Sequence, residues 1–312
     1  YQSSMAKTKE IQRRLKSINN IKKITKAMEM VAAAKMRRAI EAVLRTRDYA
    51  HLSWETALNL ATISESKREP LHPLLASRPV INRVAIIVMT SNRGLCGGFN
   101  ANLLNKVRQS IKKYHFSNGA LTTTPEFILV GKKAESLINL GYKIAADFPK
   151  SDSLHSFEEV HPLSQLVIND FLSGHYDKVL VAYTDFINPI KQVPRIKQLL
   201  PISLTNQEDQ FNTNHITSLV DDHLASELIF EPSRQVVMDK VLPKLIEVQI
   251  FQAMLEVNAS EHSARMSAMR QASDAASDMV EELTLFFNKA RQASITAEIA
   301  EISAGASALI DN

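Results

Sequence analysis

Residues 11–40 read IQRRLKSINNIKKITKAMEMVAAAKMRRAI, and this stretch decides the fold. Ile11, Leu15, Ile18, Ile21, Ile24, Met28 and Val31 recur every three or four positions, and Met36, Ile40 and Leu44 continue the row. That is helical periodicity with one short step at Ile18–Ile21, as in a coiled coil with a slipped register. No Gly or Pro occurs before Pro70, and Pro70 with Pro73 then breaks the helix. A single helix from Ala6 to Leu60 would be about 82 Å long, whereas a small domain is only about 30 Å across. Such a helix must project and needs a partner for its apolar row.

The other end of the chain supplies one. After ELIFEPS (227–233) the pattern turns helical, and apart from Pro243, which is expected to kink the first turns, no Gly or Pro appears until Gly305. Ile246, Ile250, Met254 and Val257 form one stripe, and Met279, Leu283, Phe286 and Ala290 form another. From Ser233 to Ile310 this helix would run about 117 Å. Two long apolar stripes at opposite ends of one chain are best buried against each other, antiparallel. The C-terminal helix outlasts its partner by roughly 35 Å. Its tip has Ile295, Ile299, Ile302, Ala306 and Leu309 at helical spacing, set among Ala, Ser and Gly, with Glu298 and Glu301 as its only charges before the last two residues. A helix lying on its own core carries a polar outer face. This one is slim and nearly neutral all round.

Between the helices the period changes. RVAIIVMT (83–90), EFILVG (126–131), YKIAADF (142–148) and DKVLVAYT (177–184) are short apolar or β-branched runs, separated by helical patterns in ANLLNKVRQSIKKY, KKAESLINL and PLSQLVINDFLSG. Alternating β and α units predict a parallel sheet with helices on both faces. FINPIKQVPRIKQLLPI (186–202) reads as an edge strand, because Pro189 and Pro194 cannot donate to a central ladder. The expected class is therefore α/β: a long antiparallel coiled coil of N- and C-terminal helices plus a central Rossmann-like parallel-sheet domain. Its parts are an N-terminal helix over 6–62, the sheet domain over 80–205, a loop and exit strand over 206–231, and a C-terminal helix over 232–312.

The totals exclude several classes. The chain has 312 residues, 45% hydrophobic and 22% charged, as in a folded globular protein. No run of about 18 apolar residues offers a membrane span, and residues 1–20 are too polar and basic for a signal peptide. One cysteine, Cys96, rules out an internal disulfide framework. The net charge of +4 is mild, but between Ala6 and Arg38 there are eleven Lys or Arg against Glu10 and Glu29. Lys22, Lys23, Lys26, Lys35, Arg37 and Arg38 could mark a nucleic-acid face, yet no aromatics interleave and the lysines flank an apolar row. RGLCGGFN (93–100) lies between a strand and a helix, where a dinucleotide loop would sit, but its spacing fits neither G-x-G-x-x-G nor G-x-x-x-x-G-K-[ST]. Gly94, Gly97 and Gly98 read instead as a tight turn, with Cys96 an inert member of it. Gly131-Lys132-Lys133 also lacks the Ser or Thr of a phosphate loop, and the nine His form no metal-binding array.

Three stretches, in order, resemble the γ subunit of F-type ATP synthases: KKITKAMEMVAAAKMRRA (22–39), RGLCGGFN (93–100), and ASEHSARM (259–266) with NKARQASIT (288–296). The resemblance spans nearly the whole chain and is to the bacterial type. It implies a non-catalytic rotor shaft inside a ring of three α and three β subunits, with the middle domain as a foot on the c-ring beside the ε subunit. It also implies a peripheral place on the cytoplasmic face of the bacterial inner membrane, no membrane insertion, no nucleic acid, no cofactor and no metal. The coupling ion would be a proton or sodium. A slim, sparsely charged tip suits a passage in which the shaft must turn without a strong electrostatic lock. A homodimer groove is the alternative home for such a tip.

By the same resemblance, Arg291 and Gln292 match positions that touch a loop of a catalytic β subunit, where a guanidinium fork suits a carboxylate. Thr296, Arg265 and Met28 match other coupling positions, Met28 being also a plain seam residue. Leu228, Phe230 and Glu231 match the foot positions that meet the c-ring and ε. The chain departs from the family at Ala297, where a Gln is usual, and it lacks the cysteine-paired insert of chloroplast members. Two rivals remain on residues alone: a Rossmann-type enzyme with helical arms, and a coiled-coil scaffold that binds nucleic acid through 7–38.

Overall fold

The computed structural model describes residues 2–66, 72–76, 78, 81–117, 125–152, 156–202, 231 and 233–310. Its elements in chain order are α1 (Gln2–Ser66), β1 (Val84–Met89), α2 (Phe99–Ser117), β2 (Glu126–Val130), a 3-10 helix (Lys132–Leu140), β3 (Ile144–Phe148), α3 (His161–Leu172), β4 (Lys178–Phe186), β5 (Gln192–Leu200) and α4 (Arg234–Ile310). Two compact units result, one of residues 33–264 and one of residues 1–32 with 265–312.

The unit of residues 33–264 is built on a five-stranded sheet of order β3-β2-β1-β4-β5. The first four strands pair in parallel, and β5 closes one edge antiparallel to β4. Pro194 therefore lies on an edge strand, where a missing N–H is tolerated. Strand alternation divides two cores. Ile86 and Val88 of β1 face Leu103, Val107 and Ile111 of α2. Ala85, Ile87 and Met89 face the opposite way, toward Val167 and Phe171 of α3, Val43 and Trp54 of α1, and Ile246, Ile250 and Met254 of α4. Both faces are covered, as a parallel sheet requires.

In this unit α1 and α4 run antiparallel: Thr46 bonds to Gln252 at 2.7 Å, while Gln249 bonds to the carbonyl of Ala50 at 2.7 Å. α4 continues through Pro243 as one helix. KKAESLINL is 3-10 rather than α, held between Gly131 at φ 90° and Gly141 at φ 79°. A Cβ on Gly131 would lie 2.4 Å from the carbonyl oxygen of Thr90. That glycine serves close strand packing and not phosphate binding.

The apolar rows differ from the sequence expectation in phase. In the unit of residues 1–32 and 265–312, Ile11, Leu15 and Ile18 are half-buried, and the row then passes through Lys22, Thr25 and Glu29, with half-buried Met28 beside it, to buried Ala32. Ile21, Ile24 and Val31 are exposed. Alternating steps of four and three keep a row on its partner, whereas consecutive three-residue steps walk off it. On α4, Met269, Ser273 and Ala276 are buried and Val280, Leu283, Phe287 and Ala290 are half-buried, while Met279 and Phe286 lie exposed beside the row. In the unit of residues 33–264, Met36, Val43, Ala50, Trp54 and Ala57 are buried and Leu44 is exposed.

Candidate functional site

Doubly wound sheets place ligands at the carboxyl ends of their parallel strands. Here that edge is crossed by the chain's own helix. The Ser260 hydroxyl of α4 donates to the carbonyl of Thr184 near the end of β4 at 3.1 Å. Just beyond β3, Lys150 donates to Glu261 of α4 at 2.6 Å, with both side chains buried, at 0% and 2% exposure. The Asn258 amide donates to the carbonyl of Ser151 at 3.2 Å. Asn92, beyond β1, donates to the carbonyl of Lys150 at 2.8 Å. The ends of three parallel strands are thus tied to the 258–261 turn of α4.

A second polar layer joins α1, α4 and the β4–β5 pair. Arg47 donates to the carbonyl of Phe186 at 2.9 Å and lies 3.8 Å from Glu256. Gln252 donates to Glu256 at 3.0 Å, and Arg195 pairs with Asp185 at 2.7 Å. Lys197 donates to Gln249 at 2.8 Å and sits 3.9 Å above the Trp54 ring. Burial, aided by nearby Asp185, pushes the Glu256 carboxyl up to about 8. Burial pushes the Lys197 ammonium down to about 7, with Glu256 partly opposing. For Asp152, burial acts upward but the charges of Lys150 and Lys35 prevail and hold its carboxyl below the usual range. Perturbed groups mark catalytic sites only when they line an open cleft. Glu256 and Lys197 are enclosed between helices and sheet, so they act as structural polar contacts, whereas Asp152 is partly exposed and lines a cleft with Lys35 and Asn258.

The glycine-rich turn links β1 to α2. Asn100 donates to Ser91 Oγ at 2.7 Å, and Ser91 N donates back to Asn100 Oδ1 at 3.0 Å. Cys96 is buried with its Sγ 3.4 Å from Asn100 Nδ2. Gly97 has φ 57°, and a Cβ on Gly98 would meet the Asn102 amide at 3.2 Å, whereas one on Gly94 would meet open space. Leu95, exposed, also takes a positive φ of 62°. Ser91 and Asn100 organise the turn, and neither stood out in the sequence. Among the described residues, no three His, Cys, Asp or Glu gather as metal ligands.

The remaining candidates lie on the helices. Arg291, Gln292 and Thr296 are exposed on α4, and Met28 on α1 and Arg265 on α4 are half-buried. Exposure of the isoleucines rises along the tip, from 44% at Ile295 to 63% at Ile299 and 73% at Ile302. Arg291, Gln292 and Thr296 therefore share an exposed stretch of α4, which Met28 and Arg265 do not join. Glu231 is exposed, while Leu228 and Phe230 fall outside the described residues. The basic cluster is partly spent internally, as Lys26 pairs with Glu29 at 2.8 Å and Lys35 with Asp152 at 3.5 Å. Sequence reasoning missed Lys150, Asp152, Asn258 and Glu261. For Asn258 and Glu261 the signal was polar residues on every face of a helix also rich in apolar ones; Lys150 and Asp152, in the segment after β3, had none.

Comparison with known proteins converges on one family. The family model described as ATP synthase matches residues 7–309. The ATP synthase γ chain of Chloroflexus aurantiacus is 39% identical over 308 residues, covering 98% of this chain and 99% of that one. That of Roseiflexus castenholzii is 40% identical over 312 residues, covering 98% and 100%. Among solved structures, a chain of the Euglena gracilis mitochondrial ATP synthase, in its OSCP/F1/c-ring assembly, superposes with a TM-score of 0.66 at 19% identity, over 97% of this chain and 95% of that one. A chain of the Tetrahymena thermophila mitochondrial ATP synthase central stalk and c-ring gives 0.58 at 21% identity, covering 80% and 99%. At such identities these likenesses speak for the fold alone.

Proposed function

Because this chain belongs to the ATP synthase γ-chain family, we propose that it is the central rotor shaft of a proton- or sodium-translocating ATP synthase. In this reading ion flow turns the c-ring and the foot with it. The asymmetric shaft then drives three catalytic β sites through successive conformations. The free energy travels as differential contact with alternative β states, since a partner shifts an equilibrium only by binding its states unequally. Each elementary charge crossing the membrane supplies about 2.3 kcal/mol per 100 mV. Several crossings must be summed mechanically for each ATP, which requires a stiff element such as a two-helix shaft.

The observation that carries this reading is the exposure of α4 at Ile295, Ile299 and Ile302, apolar residues set among small ones that the described residues of the chain leave uncovered. On the same helix Arg291 and Gln292 are assigned to a β-subunit loop, with Thr296, Arg265 and Met28 along the same shaft. The region of Leu228, Phe230 and Glu231 is assigned to the c-ring and ε. The chain itself is not catalytic, and the proposed location is peripheral, on the cytoplasmic face of a bacterial inner membrane. None of its described helices is long and apolar enough to cross a membrane.

Co-expression with the α and β subunits of the same genome tests the reading. A particle of three α, three β and one copy of this chain is expected, with ATPase activity that falls when residues 291–312 are deleted. Purification of the chain alone as a dimer would make the tip a self-association surface and reject the shaft.

A further inference from the structure

The rotor reading leaves one mechanical question: how torque enters the two helices from the sheet that carries them. Apolar packing is non-directional. The apolar sides of α1 and α4 on the sheet therefore define a surface, but give little to resist sliding along it or rotation across it. Directional contacts do, and the three-residue segment Lys150-Ser151-Asp152 concentrates them. Lys150 pairs with Glu261 of α4 at 2.6 Å, and Asn258 of α4 donates to the carbonyl of Ser151 at 3.2 Å. Asp152 reaches the other helix, pairing with Lys35 of α1 at 3.5 Å. From behind, Asn92 donates to the carbonyl of Lys150 at 2.8 Å, anchoring the segment to the loop that leaves β1. One short strap thus holds both helices and is itself held by the sheet.

The chemistry of the central contact argues against a stabilising role. Both partners of the Lys150–Glu261 pair are buried. Taking two charges out of water costs so much that a well-packed apolar pair of similar volume often does as well or better. The best-attested use of such a pair is to fix register, because any displacement leaves two uncompensated buried charges. A register lock is what a torque-bearing joint needs.

We propose that the strap Lys150–Asp152, gripping Glu261 and Asn258 of α4 and Lys35 of α1, is the positioning site that transmits torque between the sheet domain and the helix pair. This rests on the rotor reading. Replacing the pair by Lys150→Met with Glu261→Leu keeps the volume and removes the lock. In the complete enzyme reconstituted in vesicles, ATP hydrolysis and thermal stability of that variant are expected to stay near wild type, while ions taken up per ATP hydrolysed fall about fivefold. Lys150→Arg, which keeps the charge pair, is expected to restore the ratio. A purely structural pair would change stability and leave the ratio alone. A wild-type ratio in the double variant overturns the proposal.

Should that variant fail to assemble, Lys35→Ala with Asn258→Ala removes the two flanking grips and leaves the buried pair in place. A lowered ratio there supports the strap, and a wild-type ratio overturns it. A wild-type particle that hydrolyses ATP without ion uptake would reject the rotor reading and not the strap. In that case hydrogen exchange of the full chain decides the strap: amides of residues 258–262 should exchange faster in Lys35→Ala/Asn258→Ala, and unchanged exchange removes it.

Discussion

Two stretches of the same helix behave as though they belonged to different proteins. Across residues 245–263 every position of α4 is buried, including Glu247, Gln249, Gln252, Glu256, Asn258 and Glu261. Across residues 279–304 no position is buried, although Leu285, Phe286, Ile295, Ile299 and Ile302 are as apolar as anything in the first stretch. Helix propensity does not distinguish them, and neither does apolar content. What differs is the surroundings. The first stretch lies among sheet, α1 and α3, so its polar groups must find partners within the chain. The second is half of a two-helix unit and can cover only one face, so its remaining apolar groups are left for another molecule. Burial of polar residues marks where a helix is held, and exposure of apolar ones marks where it is read.

The largest effect that could break this contrast is a cavity. Ile250 is fully buried against the sheet-facing core, so Ile250→Ala should lower unfolding stability by about 2–5 kcal/mol. Ile299, 63% exposed, should change stability by no more than about 0.5 kcal/mol when replaced by Ala. Chemical denaturation of the isolated chain measures both. Comparable losses at the two sites would mean that the tip is covered in the free chain, and the division between held and read surfaces would fall.

The sequence made some of this contrast legible. Element types came through clearly, because long runs without Gly or Pro and short β-branched runs carry different periods. The edge position of β5 was readable from Pro194, though not its antiparallel direction, and the bareness of the tip from the greater length of the C-terminal helix. Row phase was not readable at Ile18–Ile21. Apolarity there points to Ile21 and Ile24, while the fold keeps Lys22 and Thr25 in the row, where the long lysine stem can lie along the partner. Helix α4 showed its apolar stripe at Ile246, Ile250, Met254 and Val257, but a stripe cannot reveal that the opposite face is buried as well. For the same reason the Lys150–Glu261 pair was invisible: its partners are more than a hundred residues apart, and single charged residues in sequence look like surface.

A smaller effect sharpens the contrast through pH. Glu256 is enclosed, and burial with nearby Asp185 raises its carboxyl to about 8, from an unfolded value near 4.5. The folded chain therefore binds a proton more tightly than the unfolded one. Its contribution is fully present below the unfolded value and is lost as pH rises through the folded value. Wild-type stability should fall between about pH 4.5 and 8 on this account, and Glu256→Gln should flatten that slope. Denaturation midpoints across the window, compared between the two chains, measure it. An unchanged slope in Glu256→Gln would show that Glu256 is not the titrating group, and the polar layer would lose its place as a buried counterpart to the bare tip.

The smallest expected effect on the chain is at the same time the most informative about its partner surface. Arg291 and Gln292 are exposed on a helix that described residues of the chain leave uncovered. Nothing within the fold should notice their loss, so Arg291→Ala/Gln292→Ala should leave stability within about 0.5 kcal/mol of wild type. In the assembled complex the same change removes a guanidinium fork able to make two parallel bonds to a carboxylate. Coupled turnover should drop while assembly persists. The two readouts separate this pair from the apolar positions of 245–263: a cavity such as that of Ile250→Ala acts on folding first, whereas this pair acts on coupling alone. If turnover is unchanged, the coupling contact lies elsewhere on the exposed surface, and the exposed rows at Ile21, Ile24 and Val31 of α1 are the next place to look. If stability drops instead, the residues are engaged within the free chain, and the tip is not the open surface that its sequence and exposure describe.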